Sequence, residues 1–328
     1  MRALLWLTAA LAALYSGYWL VGSRALLSGV ETALSQMKAD GRADYTSVDL
    51  HGFPSRFDLT INDPRLIGAD GQQSWQAAFV QLFALSYRPN HLIAVWPDEQ
   101  VLTIGGDTVT LRSTDLRASV TLGASLGLPL DHAELEGHGI DLTSGLGWQL
   151  LAEKLVFATR QATSGAKSHE LALVLTGFAP GNDLRRLIDP EGKLPALADT
   201  TRATLIADFD RPLDRTFVTA EPRLTALRAL DLAFIWGPVS LTAKGDLSVG
   251  ADGVPTGKIS LTVRGWRDLL SLFVTAGALT PDMAGTLENG LAAIETGKDQ
   301  SAELRLPLTF DRGQVRLGPF LLGPAPRL

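Results

Sequence analysis

The chain has 328 residues, of which 46% are hydrophobic and 20% charged, with a net charge of −6 and no cysteine. That length allows one large or two modest domains, and the acidic balance speaks against nucleic acid and against tight electrostatic adhesion to anionic lipid. The missing cysteine excludes disulfides, thiolate nucleophiles and Cys-ligated zinc or iron–sulfur centres.

Arg2 is followed by an apolar run, Ala3 to Gly22. Twenty helical residues rising about 1.5 Å each cover about 30 Å, the thickness of a bilayer's hydrocarbon core. A cleavable signal has a shorter apolar stretch, about 7–15 residues, before a small-x-small site. Arg24 in Ser23-Arg24-Ala25 fits such a site poorly, so residues 1–24 read as an uncleaved transmembrane anchor. Arg2 and the α-amino group before the run, against Arg24 after it, favour the inner side for the N-terminus. Trp6 near one end, and Tyr15, Tyr18 and Trp19 near the other, sit where interfacial aromatics belong. Leu26, Leu27, Val30, Ala33, Leu34 and Met37 continue at helical spacing, which predicts an amphipathic stem over 25–41.

From Asp44 the period changes to two. Phe57, Leu59 and Ile61 alternate with polar residues, as do Leu116 to Leu122, Val239 to Val249, Ile259 to Val263 and Leu304 to Phe310. Such strands belong to antiparallel sheets covered on one side. Glycine-containing turns at 105–107, 251–253 and 311–313 separate them, and the second joins 239–249 to 258–264 as a hairpin with a loop longer than two residues. Three helices are predicted. One is short, capped by Asn182 and ending near Ile188. A second runs from Trp266 to Ala276. A third opens at Thr280-Pro281-Asp282 and runs to about Glu295. The expected fold is mainly β (α+β), a curved antiparallel sheet with a few packed helices behind one N-terminal transmembrane helix. The β-rich domain spans 42–328, with a sub-boundary near 180–200. Gly52-Phe53-Pro54 and Gly177-Phe178-Ala179-Pro180 recur as a weak internal similarity.

No catalytic motif carries through. Gly123-Ala124-Ser125-Leu126-Gly127 matches a nucleophile elbow, but Leu128-Pro129-Leu130 argues against the helix that motif needs, whatever Asp141 and His169 do downstream. His132, Glu134, Glu136 and His138 share one strand face, yet four ligands along one strand extend over about 20 Å and do not converge on an ion. His51 and His91 stand alone. Trp75, Trp96, Trp148, Trp236 and Trp266 read as core residues. Phosphate-binding, dinucleotide and metalloprotease motifs are missing, and the residues call for no cofactor or metal.

Three segments carry a resemblance. Residues 48–66, "VDLHGFPSRFDLTINDPRL", 236–270, "WGPVSLTAKGDLSVGADGVPTGKISLTVRGWRDLL", and 308–326, "LTFDRGQVRLGPFLLGPAP", resemble the bacterial family called domain of unknown function 2125. Gly245-Asp246-Leu247 and the Asp252 to Gly257 hairpin also resemble the C-terminal part of AsmA-like envelope proteins. The first resemblance implies a single-pass inner-membrane protein with its domain in the periplasm. The second implies a sheet whose apolar face shelters acyl chains. The resulting expectation is a non-enzymatic binder of lipid or lipoprotein acyl chains, with Val239, Leu241, Leu247, Val249, Ile259, Leu261 and Val263 lining a groove. The alternative is a structural or interaction protein of the envelope with a closed β core; period-two alternation suits both and leaves the oligomeric state open.

Overall fold

The computed structural model describes residues 1–68, 71–189, 192, 194–218, 222–275, 279–294 and 303–328. Helix α1 (Arg2–Ala39) merges anchor and stem into one element. Its Ala- and Leu-rich sequence holds no proline, and it stops where Gly41 takes a positive φ of 70°. There the Arg42 amide donates to the Met37 carbonyl at 2.8 Å, closing the last turn in the manner open to a residue without a side chain. The most apolar window of α1 has a mean hydropathy of 1.5 and none of it is buried, so one N-terminal helix is long and apolar enough to cross a membrane.

The remaining fold is one antiparallel sheet, divided into two compact units: 1–124 with 135–146, and 125–134 with 147–328. The first unit holds α1 and strands β1 (Ala43–Asp44), β2 (Ser47–His51), β3 (Arg56–Asn62), β4 (Arg65–Ile67), β5 (Gln73–Ala77), β6 (Phe79–Leu85), β7 (Arg88–Val95), β8 (Glu99–Ile104), β9 (Asp107–Arg112) and β10 (Asp115–Leu122), with the later part of β11 (Leu130–Ser144). Its strands pair in two series, β2–β3–β6–β7–β10 and β1–β4–β5–β8–β9–β11. Long arms are interrupted where the backbone cannot continue a ladder. Between β3 and β4 stand Asp63, with φ 49°, and Pro64, which has no N–H to donate. Phe57 and Leu59 point into the core while Arg56 and Asp58 pair on the other face at 2.9 Å, the alternation read from the sequence.

The second unit holds β12 (Gln149–Gln161), β13 (Ser168–Thr176), β14 (Ala179–Pro180), α2 (Asn182–Ile188), β15 (Thr200–Phe209), β16 (Leu224–Trp236), β17 (Val239–Val249), β18 (Pro255–Arg264), α3 (Trp266–Thr275), α4 (Pro281–Ile294), β19 (Leu304–Asp311), β20 (Gln314–Leu317) and β21 (Phe320–Pro324). Strands follow one another as an up-and-down meander, β12–β13–β15–β16–β17–β18–β19–β20–β21. β14 continues beyond β13 beside the start of β12. The ends expected for the last two helices, Ala276 and Glu295, lie outside the described residues. The cap of α2 differs from expectation: Gly181 holds the N-cap position with no side-chain hydrogen bond, and Asn182 is the first helical residue. Thr280 does cap α4, its hydroxyl accepting from the Met283 amide at 3.3 Å.

Residues 180–200, where a sub-boundary was expected, fall inside this unit. Its described residues 194–198 lie over one end of the sheet. Leu194 and Ala198 are buried against Trp236 and Val239. The Trp236 indole donates to the Pro195 carbonyl at 2.8 Å, and the Arg185 guanidinium donates to the Leu194 carbonyl at 2.6 Å.

A candidate apolar ligand site

Registers in the second unit align apolar residues into rows that cross the sheet. Phe157, Leu173, Ala203, Leu232, Ala243, Leu261 and Leu306 are successive partners from β12 to β19. A parallel row runs through Leu155, Leu175, Thr201, Phe234, Leu241, Val263 and Leu304. Successive residues of a strand point to opposite faces, so these rows make one apolar face. On β17 and β18 the opposite face carries Lys244, Asp246, Lys258 and Ser260, all exposed.

The cover over this face is uneven. Helices α3 and α4 lie on its C-terminal strands and bury Trp266, Leu287 and Leu291 against Val263, Leu304 and Leu306. Leu287 and Leu291 are one helical turn apart, so they face the sheet together, with Thr286 and Glu288 outward. A second cluster, Ala243, Leu247 and Ile259, packs only with other strand residues, Leu227, Leu232 and Phe310 among them.

Between the helices and the sheet lies a cavity of about 300 Å³, lined by fifteen residues that are all apolar. The sheet supplies Leu241, Leu261, Val263, Leu304, Leu306 and Leu308. The helices and the segment joining them supply Trp266, Leu269, Leu270, Phe273, Leu279, Leu287 and Leu291, and the last strands Leu317 and Leu322. Its volume stands at the lower end of the range of about 300–1,000 Å³ found for ligand pockets. Phe273 is 38% exposed while lining it, which places its ring at the rim.

Of the seven groove candidates, Leu241, Leu261 and Val263 line this cavity. Leu247 and Ile259 belong to the neighbouring sheet cluster, and Val239 is sealed at 0% exposure beneath Trp236 and the 194–198 segment. Val249 is buried opposite Pro255 at the end of the β17–β18 hairpin. Sequence reasoning missed the helical wall and the β19–β21 wall. Their signal was present in the apolar spacing of α3 and α4, but only the fold lays both helices across this part of the sheet.

The polar candidates are dispersed. Residues 123–129 form a turn with no helix after Ser125. His138 Nε2 lies 3.2 Å from Glu136, while His132 Nδ1 lies 3.2 Å from Asp131. No three His, Asp or Glu residues converge on a common point among the described residues. His91 Nε2 meets the Ser119 hydroxyl at 2.9 Å, and Asp141 accepts from Thr143 at 2.8 Å. His169 is buried on the apolar face, its Nδ1 at 3.5 Å from the Thr159 hydroxyl and its Nε2 without a partner. Burial pushes its imidazole below the usual 6.5. Trp236 and Trp266 are core residues, and Trp75 donates to Gln100 at 2.9 Å.

These features define a class: a β protein with a single apolar N-terminal helix and an apolar cavity between its sheet and two helices. The chain belongs to the family described as "Uncharacterized protein conserved in bacteria (DUF2125)", which it matches over residues 19–326. No curated protein and no solved structure matches the chain, and the resemblance to AsmA-like proteins has no counterpart in those comparisons.

Proposed function

We propose that this is a membrane-tethered protein that shelters a lipid acyl chain in the cavity between α3, α4 and the sheet, with no chemical step. The observation that carries the reading is the cavity's wholly apolar lining. Each Å² of apolar surface removed from water contributes about 25 cal/mol, so an acyl chain needs no polar anchor to be held. α1 supports the tether, and the positive charge before its apolar run favours a domain on the outer, periplasmic side of the inner membrane. Lipid then reaches the site from the bilayer in which the protein is fixed.

The test is mass spectrometry of lipids that co-purify with the full-length chain, repeated on Phe273→Glu. A carboxylate at the rim stays hydrated, so that variant keeps its fold by circular dichroism while its bound lipid falls several-fold. Wild type that never carries lipid, or a folded variant with undiminished lipid, overturns the reading. A closed-core envelope protein is the second reading, favoured by the sealed packing of Val239, Trp236, Leu194 and Ala198 at the adjacent end of the same face; it expects no lipid in either sample.

A further inference from the structure

The aromatics of α1 tie the membrane span to one end of the first unit. Tyr15 Oη lies 2.7 Å from the Ser86 hydroxyl, Tyr18 donates to the Ser86 carbonyl at 2.7 Å, and Trp19 donates to the Arg56 carbonyl at 2.8 Å. Ser86 is fully buried beneath them. Its amide donates to the Ser55 carbonyl at 2.9 Å, so the β2–β3 and β6–β7 turns lie side by side at this end. Two large aromatic side chains there have little cover: Phe53, 57% exposed with its ring edge-on to Trp19 at 5.2 Å, and Tyr87, 64% exposed. Arg56 and Arg88 beside them are exposed too.

The geometry of the span decides where these turns sit. The apolar run is bounded by Arg2 and Arg24, and it reaches about 30 Å only when used whole. Tyr15, Tyr18 and Trp19 lie within its last eight residues. From Tyr15 to Gly22 the helix rises about 10 Å, so the turns bonded to these residues lie within that distance of the end of the span. This is the depth, about 5–10 Å into the headgroup and acyl boundary, at which interfacial elements rest. Aromatic rings with an apolar body and polar tip concentrate there, and arginine heads reach the phosphates while their stems stay in apolar surroundings.

We infer that the turns around Phe53 and Tyr87 are embedded in the membrane interface, so that the first unit is seated on the bilayer by direct contact with lipid as well as tethered by α1. The exposed rings take the outer acyl region, and Arg56 and Arg88 face the headgroups. The inference rests on α1 spanning the membrane, which the test examines separately.

The native chain has no cysteine, so single cysteines report cleanly. Leu11→Cys, Phe53→Cys, Tyr87→Cys and Ile104→Cys are made in the full-length chain and labelled with an environment-sensitive fluorophore. Each is reconstituted in vesicles of phosphatidylethanolamine and phosphatidylglycerol. Ile104 is exposed at the β8–β9 turn, the far end of the arm that starts at Arg88, and serves as the aqueous reference. Labels at 53 and 87 are expected to be quenched by nitroxide lipids of headgroup depth and to show several-fold weaker quenching by aqueous iodide than the label at 104. The label at 11 responds to mid-chain nitroxide. A shielded label at 11 with labels at 53 and 87 as open to iodide as 104 overturns the inference and leaves the span intact. An unshielded label at 11 overturns the span, and the inference with it.

Discussion

The ring of Phe320 occupies the space that a β-carbon on Gly290 would need. Gly290 lies on the inward side of α4, between Leu287 and Leu291 in sequence, and Phe320 starts β21 beside the cavity wall. The missing side chain lets the helix descend onto the sheet. Gly290→Ala is expected to force the ring aside and lift α4, at a cost of about 1–3 kcal/mol, typical of overpacking. Pairing it with Phe320→Leu recovers part of that loss, because the two residues are in contact and their effects are not additive. Urea melts of the two single variants and the double variant measure this; strict additivity counts against the contact.

Leu247 tests the sheet cluster that no helix covers. It is 6% exposed and packs with Ala243 and Ile259. Leu247→Asp strands an unpaired carboxylate among leucines, an arrangement expected to cost about 3 kcal/mol or more. Thermal melting is therefore expected to show a destabilised or unfolded second unit, in contrast to Phe273→Glu at the cavity rim. An unchanged melting temperature for Leu247→Asp means that water reaches this part of the face, extending the proposed ligand site beyond the helices.

Local physics explains how far the sequence could be read. Period-two alternation located β17, β18 and β19 because each pairs an apolar with a polar face, and turn glycines marked the hairpin between the first two. It could not say what covers the apolar face, since Leu241 beside a cavity and Val239 beneath a sealed lid follow the same pattern. Coverage depends on where α2, α3 and α4 are laid, and that is set by contacts such as Trp236 with Pro195 across 41 residues. The aromatics of α1 had the same limit. Tyr15, Tyr18 and Trp19 read as interfacial residues, and nothing in their neighbourhood announces partners at Ser86 and Arg56.

His169 makes stability depend on pH. Its buried imidazole titrates below the usual 6.5, so the folded chain resists a proton that the unfolded chain accepts. The stabilisation is complete above the unfolded value, and it declines as pH falls through 6.5 towards the lower folded value. Asp208 acts further into acid. Hydrogen bonds from the Arg228 guanidinium hold its carboxyl below 3.8, so its contribution is lost only as pH drops through that lower range. His169→Leu, which keeps an apolar group of similar reach against Phe209, is expected to flatten the fall in melting temperature between about pH 7.5 and pH 5.5. An unchanged slope assigns the effect to another group.

The contacts of α1 also bear on whether the helix persists in the mature protein. Cleavage at Ser23-Arg24-Ala25 would remove Tyr15, Tyr18 and Trp19 together. Ser86 would lose both tyrosines from its hydroxyl and carbonyl, the Arg56 carbonyl would lose its donor, and Phe57, stacked on Trp19 with centroids 6.0 Å apart, would be uncovered. The Ser86 and Arg56 groups would exchange these donors for water, a loss of about 1 kcal/mol per hydrogen bond, and the apolar ring of Phe57 would be left facing solvent, so the helix is expected to be retained. The protein extracted from membranes is expected to give an intact mass that includes residues 1–24, and a mature start at Ala25 or Leu26 would falsify this. Tyr15→Phe with Tyr18→Phe removes the two hydrogen bonds to Ser86 and keeps the rings. Each bond is worth about 1 kcal/mol, so the double variant should melt lower than wild type while remaining membrane-bound, and an equal melting temperature would mean that the helix touches the domain without holding it.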